Sequence, residues 1–205
     1  MQSRVSTTMP TRDGRHARSR RTRAAVAEAM LDCLEEGLLR PSAKQVAERA
    51  GVSSRAVFRH FDNMEALLEE VTRLHIGRVV RELPPVETEG TLEQRIDALV
   101  LRSARRNEIV APVRRAALLA EPFSKVIREG HVWMRSRDRR QVRAVFAEEL
   151  DAMSDTKRSD RIAAVRALLS FSYWEELRRH AGFSNSAASR VLRGAVHALL
   201  GPQSP

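Results

Sequence analysis

The sequence predicts an all-α fold, with an N-terminal three-helix domain built on a helix-turn-helix and a C-terminal helical domain after it. Apolar residues recur at three- and four-residue spacing along most of the 205 residues. No alternating apolar–polar run ends in a hairpin turn, so strands are not expected. Ser, Asp, Asn, Gly and Pro fall where the periodic stretches start and stop.

Residues 1–18 are polar and basic without an apolar face and read as a flexible arm. A first helix begins near Ser19, carries the stripe Val26, Met30, Cys33 and Leu34, and stops at Gly37. Ser42 caps a short second helix that ends at Ala50–Gly51, and Ser53 caps a short third one ending near Phe61. Asp62 or Asn63 caps a fourth helix with the stripe Leu67, Leu68, Val71 and Leu74, ended by Leu83-Pro84-Pro85. The first domain is therefore placed at 19–64 and the second at 65–205.

In the second part, Leu92, Ile96, Leu99 and Val100 mark one helix, and Pro112 and Pro122 punctuate the next. An Arg-rich helix runs through Phe146 and Leu150, and Ser154–Lys157 is a break. Ile162, Val165 and Leu169 begin a helix that ends near Gly182. Ala188, Val191, Leu192, Ala195 and Leu199 form the last.

Composition excludes several classes of function. Hydrophobic content of 42% beside 30% charged residues is that of a globular chain. No stretch approaches the ~18 unbroken apolar residues of a membrane span, and no signal peptide is read at the start, so a cytoplasmic protein without membrane contact is expected. The one cysteine, Cys33, is expected in the core, and no Cys/His spacing suits zinc. There is no phosphate-cradling glycine loop, no His-Glu-x-x-His and no nucleophile elbow, so neither an enzyme nor a cofactor or metal is expected.

The net charge of +10 points to a polyanion as partner. Residues 1–23 hold seven arginines and one aspartate, so +6 of that charge lies in the first ninth of the chain. The stretch Ser42–Phe61 says how such charge is used. Ala47 is small where two short helices would cross. Gly51 stands four residues later, where the backbone must turn. Val46, Val52 and Val57 supply a small core. That order is the helix-turn-helix pattern, and its second helix would present Ser54, Arg55, Arg59 and His60 outward. An exposed Arg there can reach guanine O6 and N7 in a major groove.

Val26 to Leu68 resembles the N-terminal domain of TetR-family regulators. The resemblance is carried by Val46-Ala-Glu-Arg-Ala-Gly-Val-Ser53, then Val57-Phe-Arg-His-Phe61, then Glu65-Ala-Leu-Leu68. A weaker likeness covers Trp174 to Ser184. The resemblance implies a homodimer with one helix-turn-helix per subunit, a palindromic double-stranded operator, and a C-terminal domain that binds a small molecule. It implies a dimer interface made by the last two long helices, and repression as the output. It gives Ser54 and Arg55 the base-reading positions, Lys44 a DNA-reaching position on the preceding helix, and His60 a phosphate position. Phe58 stands where the family usually has Tyr, Met64 where Lys is frequent, and Ala43 where Thr is frequent. The DNA-binding set is therefore Arg20, Arg21, Ser42, Lys44, Ser53, Ser54, Arg55, Phe58, Arg59 and His60, with Arg18, Arg20 and Arg21 making up for those three positions by entering the minor groove or lining the phosphate backbone.

For the implied effector, the large residues of the C-terminal half are the candidates: Phe123, Ile127, His131, Trp133, Phe171 and Trp174. On sequence alone each is more often a core or interface residue than a ligand wall. Two other readings stay open here. One is a regulator that answers to a protein partner through Arg135, Arg137, Arg139, Arg140 and Arg143; the other is a basic helical scaffold or enzyme with no preference among DNA sequences.

Overall fold

The computed structural model describes residues 12–83, 85–86 and 88–201. The described residues form ten α-helices and one π-helical turn, without strands. They fall into two compact units whose boundary, between Thr72 and Arg73, lies inside one helix.

In the first unit, helix α1 (Arg12–Glu35) buries Val26, Met30, Cys33 and Leu34, the stripe expected of it, and Ala27 beside them. It starts seven residues earlier than Ser19, which corrects the reading of residues 12–18 as arm; residues 1–11 lie outside the described residues. Extension of a helix already fixed by packing needs no new nucleus, and Ala and Arg favour it without an apolar face. Gly37 ends α1 with φ 91°, a left-handed conformation that side chains resist.

Helix α2 (Ala43–Ala50) opens on a full capping box. Ser42 Oγ accepts from the Gln45 amide at 3.3 Å, and Gln45 Oε1 accepts from the Ser42 amide at 2.8 Å. Gly51, at φ 65°, closes it in the left-handed region and donates back to Ala47 and Glu48 carbonyls. Helix α3 (Ser54–His60) is capped by Ser53, whose Oγ accepts from the Ala56 amide at 3.2 Å. Asn63, rather than Asp62, caps α4 (Met64–Glu82), with Oδ1 2.8 Å from the Ala66 amide.

Along α4 the buried line steps by four, Leu67, Val71, His75, Val79, Leu83, and so bypasses Leu74, which is 45% exposed. A histidine thus takes the place that apolar spacing assigned to a leucine. Its Nε2 lies 3.2 Å from the Ile109 carbonyl, so the polar group enters the interior with a partner.

The second unit is built on α5 (Leu92–Ala120), α6 (Lys125–Val145), α7 (Ala147–Asp151), α8 (Asp155–Leu168), α9 (Phe171–Glu175), the π turn Glu176–His180, and α10 (Asn185–Leu200). Its core gathers Ile96, Leu99 and Val100 of α5, Val142 and Val145 of α6, Phe146, Leu150, Val165, Trp174, Leu192 and Val196. Four helix boundaries differ from expectation. Helix α5 runs through Pro112, because Asn107, Ala111, Val113, Ala116 and Ala117 are buried on both sides and hold the helix across the missing donor. Helix α6 stops at Phe146. Arg95, 4% exposed, takes the Val145 carbonyl at 2.7 Å and grips Glu149 at 2.8 and 2.5 Å. The break at Ser170 has the same kind of cause. The Leu169 carbonyl accepts from Arg106 at 2.9 Å and Asn107 at 3.3 Å, and Ser170 Oγ caps the next helix. The other expected break begins earlier than predicted: Ser154 precedes α8, which contains Lys157.

Arg115 joins α5 to α9 by a two-pronged ion pair to Glu175, at 2.9 and 2.8 Å. That bond is the leading cause holding the Glu175 carboxyl below its ordinary 4.5. A depressed carboxyl contributes stability above its ordinary value and loses it as pH falls through the folded one. Thermal melts of the parent and Glu175→Gln should therefore differ at pH 7 and converge between about pH 5 and 3. A constant gap down to pH 3 would show that Glu175 acts by shape alone.

Candidate nucleic-acid interface

The turn between α2 and α3 fixes what α3 can show. Val46, Ala47, Ala56 and Val57 are buried between the two helices and α1, which leaves Ser54, Arg55, Phe58 and Arg59 exposed. These four lie at i, i+1, i+4 and i+5, so they share one face of the helix. The face carries a hydroxyl, two guanidiniums and an aromatic ring that is 49% exposed. Such a set matches the edges of base pairs: forked donors for guanine, and an apolar surface for a thymine methyl.

Ser42 and Ser53 hold the amides at the starts of α2 and α3, so both caps anchor the geometry of the motif. Lys44 projects from α2 with its side chain 81% exposed, and its Nζ is 3.9 Å from Glu48. Arg18, Arg20 and Arg21 are exposed along the first half of α1. They are thus carried on a helix, which suits contact along a phosphate backbone rather than threading of a loose arm.

His60 departs from the expectation of an outward side chain. It is partly buried, and its Nε2 is enclosed without a hydrogen-bond partner among the described residues. Burial, with Arg59 and Arg23 adding, holds its pKa below the ordinary value, so the neutral ring is favoured. Beside it stands Arg23, which the sequence shows only as charge. Its guanidinium donates to the His60 carbonyl at 2.6 Å, lies 4.3 Å from the centre of the Phe61 ring, and stands 3.5 Å from Glu70. One arginine of α1 thereby fastens the end of α3 to α4. Arg49 and Glu36 form a second tie, between α2 and the end of α1. Neither pairing has a sequence signal, because both partners look like ordinary surface charge.

The six residues proposed for an effector do not converge. Phe123 is 78% and Trp133 49% exposed, so neither lines an interior pocket, which corrects that expectation for both. Ile127, His131, Phe171 and Trp174 are buried. Trp174 belongs to the main core, and its Nε1 donates to Glu108 at 3.0 Å. His131 Nδ1 is 2.6 Å from Glu121. A half-open cleft of about 320 Å³ lies elsewhere, between Glu93, Ile96 and Asp97 of α5 and Arg190, Arg193, Gly194 and His197 of α10. No described helix is long and apolar enough to cross a membrane. No group of three or more metal-ligating side chains occurs among the described residues.

Residues 33–71 match the N-terminal domain model of the bacterial regulatory proteins of the tetR family. Comparison with curated proteins finds no match. Among solved structures, the fold is similar to a transcriptional regulator from Rhodococcus sp. Rha1, at 22% identity and a TM-score of 0.66, over 89% of this chain and 95% of that one. It is similar to a Mesorhizobium loti protein described as a TetR-family transcriptional regulator, at 18% identity and a TM-score of 0.61, over 89% and 96% of the two chains. It is also similar to SmeT in complex with triclosan, at 15% identity and a TM-score of 0.58, over 87% and 90%.

Proposed function

We propose that this chain is a TetR-family regulator, a DNA-binding protein rather than an enzyme, and that it acts as a homodimeric repressor, released from a palindromic operator when a small molecule binds the second unit. The observation that carries this reading is the exposed face Ser54, Arg55, Phe58 and Arg59, held by two capped short helices behind an arginine-lined α1.

Two-fold symmetry would present two such faces at about 34–36 Å, the spacing of successive major grooves, and so read a palindrome. Support for pairing comes from small and apolar residues left uncovered on the last long helices: Ala163 and Ala167 of α8, and Val191, Gly194 and Ala198 of α10. Support for an effector comes from the similarity in fold to a protein solved with triclosan. The ligand releases DNA only by binding the DNA-incompetent state better, a coupling of typically ~1–3 kcal/mol that acts equally in both directions. Helix α4 runs from one unit into the other and is the route by which that preference would pass. A cytoplasmic location follows from work on the chromosome.

The test is a fluorescence-anisotropy titration onto the DNA that flanks its own gene, and onto scrambled DNA, over several salt concentrations. The reading predicts a preference of ~10³-fold or more for one segment, and affinity that falls steeply with salt. Equal binding to both, together with failure to enrich any palindrome from random sequence, would leave only a non-specific basic protein.

A further inference from the structure

Helix α6 turns Ile127, His131, Val142 and Val145 inward, and its opposite face is uncovered among the described residues. Two neighbouring rows run along that face at seven-residue steps, close to two helical turns: Lys125, Val132 and Arg139, and Val126, Trp133 and Arg140. Val126 is 42% and Val132 54% exposed, beside the half-exposed Trp133. Phe123 stands in the turn that leads into α6, and Leu119, 43% exposed, ends α5 just before it. Large apolar side chains gathered at one end of a helix and rimmed by charge mark a surface that meets something other than water.

The same face is strongly basic. Lys125, Arg128, Arg135, Arg139, Arg140 and Arg143 are exposed on α6, and Glu129 is the one exposed carboxylate of that helix. Glu129 is 3.7 Å from Lys125, and Asp138 is turned to Arg106. Arg139, Arg140 and Arg143 make no ion pair or hydrogen bond with a described residue. Apolar anchors beside unmatched cations call for an anionic partner with an apolar interior. A peptide needs a groove or a sheet edge to receive it, whereas the half-open cleft lies between α5 and α10. A second copy would set the same six cations against themselves. A nucleic acid can stack on the rings of Phe123 and Trp133 but has no use for Leu119, Val126 and Val132. An anionic bilayer takes all of them, with rings and aliphatic chains at the boundary of headgroups and acyl chains and guanidiniums on the phosphates.

We propose that the exposed face of α6, with Phe123 at its start, docks on an anionic lipid bilayer. Phe123, Val126, Val132 and Trp133 enter the headgroup–acyl boundary, and Arg139, Arg140 and Arg143 meet lipid phosphates. No described helix is long and apolar enough to cross a membrane, which is why the sequence predicts no membrane contact. A helix that lies in the headgroup plane needs no such length, only apolar side chains and cations on the side it presents.

The experiment titrates the full chain with vesicles of phosphatidylglycerol and phosphatidylcholine mixed one to two, and with vesicles of phosphatidylcholine alone. The readout is tryptophan emission. The chain has two tryptophans, and Trp174 is buried in the core, so a shift reports Trp133. With the mixed vesicles the emission should move to shorter wavelength and be quenched by brominated acyl chains; partition onto phosphatidylcholine alone should be weaker by about tenfold or more. The triple variant Arg139→Ala, Arg140→Ala, Arg143→Ala should partition about tenfold to a hundredfold more weakly, and Phe123→Ser about fivefold more weakly. Both should melt near the parent, because all four positions are exposed. Lys44→Ala, Arg55→Ala, Arg59→Ala together remove as many cations from the first unit and should partition as the parent does. The proposal is overturned if the mixed vesicles leave Trp133 unmoved, if both kinds of vesicle bind alike, if brominated chains do not quench, or if the α6 triple variant binds as the parent does. A soluble glutamate–tyrosine copolymer that shifts Trp133 where vesicles do not would overturn it too, in favour of an acidic protein. No DNA is present, so failure here leaves the operator reading intact, and failure of the operator titration leaves this one.

Discussion

Arg55→Ala lowers affinity for the preferred DNA segment by about tenfold to a hundredfold, which is the ~1–3 kcal/mol carried by one good two-pronged contact to a base. Binding to scrambled DNA should fall much less, because the phosphate contacts proposed for Lys44, Arg18, Arg20 and Arg21 would remain. The ratio between the two DNAs therefore shrinks. Stability stays within about 0.5 kcal/mol, since Arg55 is exposed and none of the hydrogen bonds that hold α2, α3 and α4 together passes through it. Arg23→Ala is the informative opposite. Arg23 reaches the end of α3 and Glu70, so its loss loosens the helix that carries the face, and affinity for both DNAs falls together with the melting midpoint. If Arg55→Ala instead weakened both DNAs alike, Arg55 would be a phosphate contact and the base reader would have to be sought at Ser54, Phe58 or Arg59.

The first unit was legible because its chemistry is local. Ser42, Gly51 and Ser53 act within three or four residues of themselves, as two N-caps and a left-handed C-cap, and each was placed by type and spacing alone. The outward face of α3 followed from the same arithmetic, because Ala56 and Val57 must be the side that packs. What was missed acts across the chain. Arg23 lies 37 residues from His60 and donates to its carbonyl, and the His60 ring expected to point outward is partly enclosed.

The second unit was less legible for the same reason. Periodicity put Val142, Val165, Leu192 and Ile96 in the core. It could not see that the breaks at Phe146 and Ser170 coincide with carbonyls taken by Arg95, Arg106 and Asn107 from α5. Nor could it separate apolar residues by role. Phe123 and Trp133 stand exposed, while Ile127 and Trp174 are buried, although all four had equal claims to a ligand wall.

Trp174 settles by mutation which role an aromatic residue of this unit has. It is 1% exposed, sits in the main core at the last turn of α9, and donates to Glu108, which also accepts from Arg178 at 2.8 Å. Trp174→Ala should destabilise the unit by about 3–5 kcal/mol through lost burial and an incompletely collapsing cavity. In a domain of this size that is a drop of roughly 6–20 °C in melting midpoint. Trp174→Phe keeps most of the apolar volume and leaves Glu108 on Arg178, so its drop should be much smaller. Trp133→Ala, at an exposed position, should move the midpoint by about 0.5 kcal/mol or less. The measurement is a circular-dichroism melt of the three variants beside the parent. A ligand wall gives the reverse pattern: Trp174→Ala would melt near the parent and lose only effector response. An unchanged midpoint for Trp174→Ala would therefore remove Trp174 from the core and return it to the pocket, with the Glu108 hydrogen bond as the means of positioning its ring.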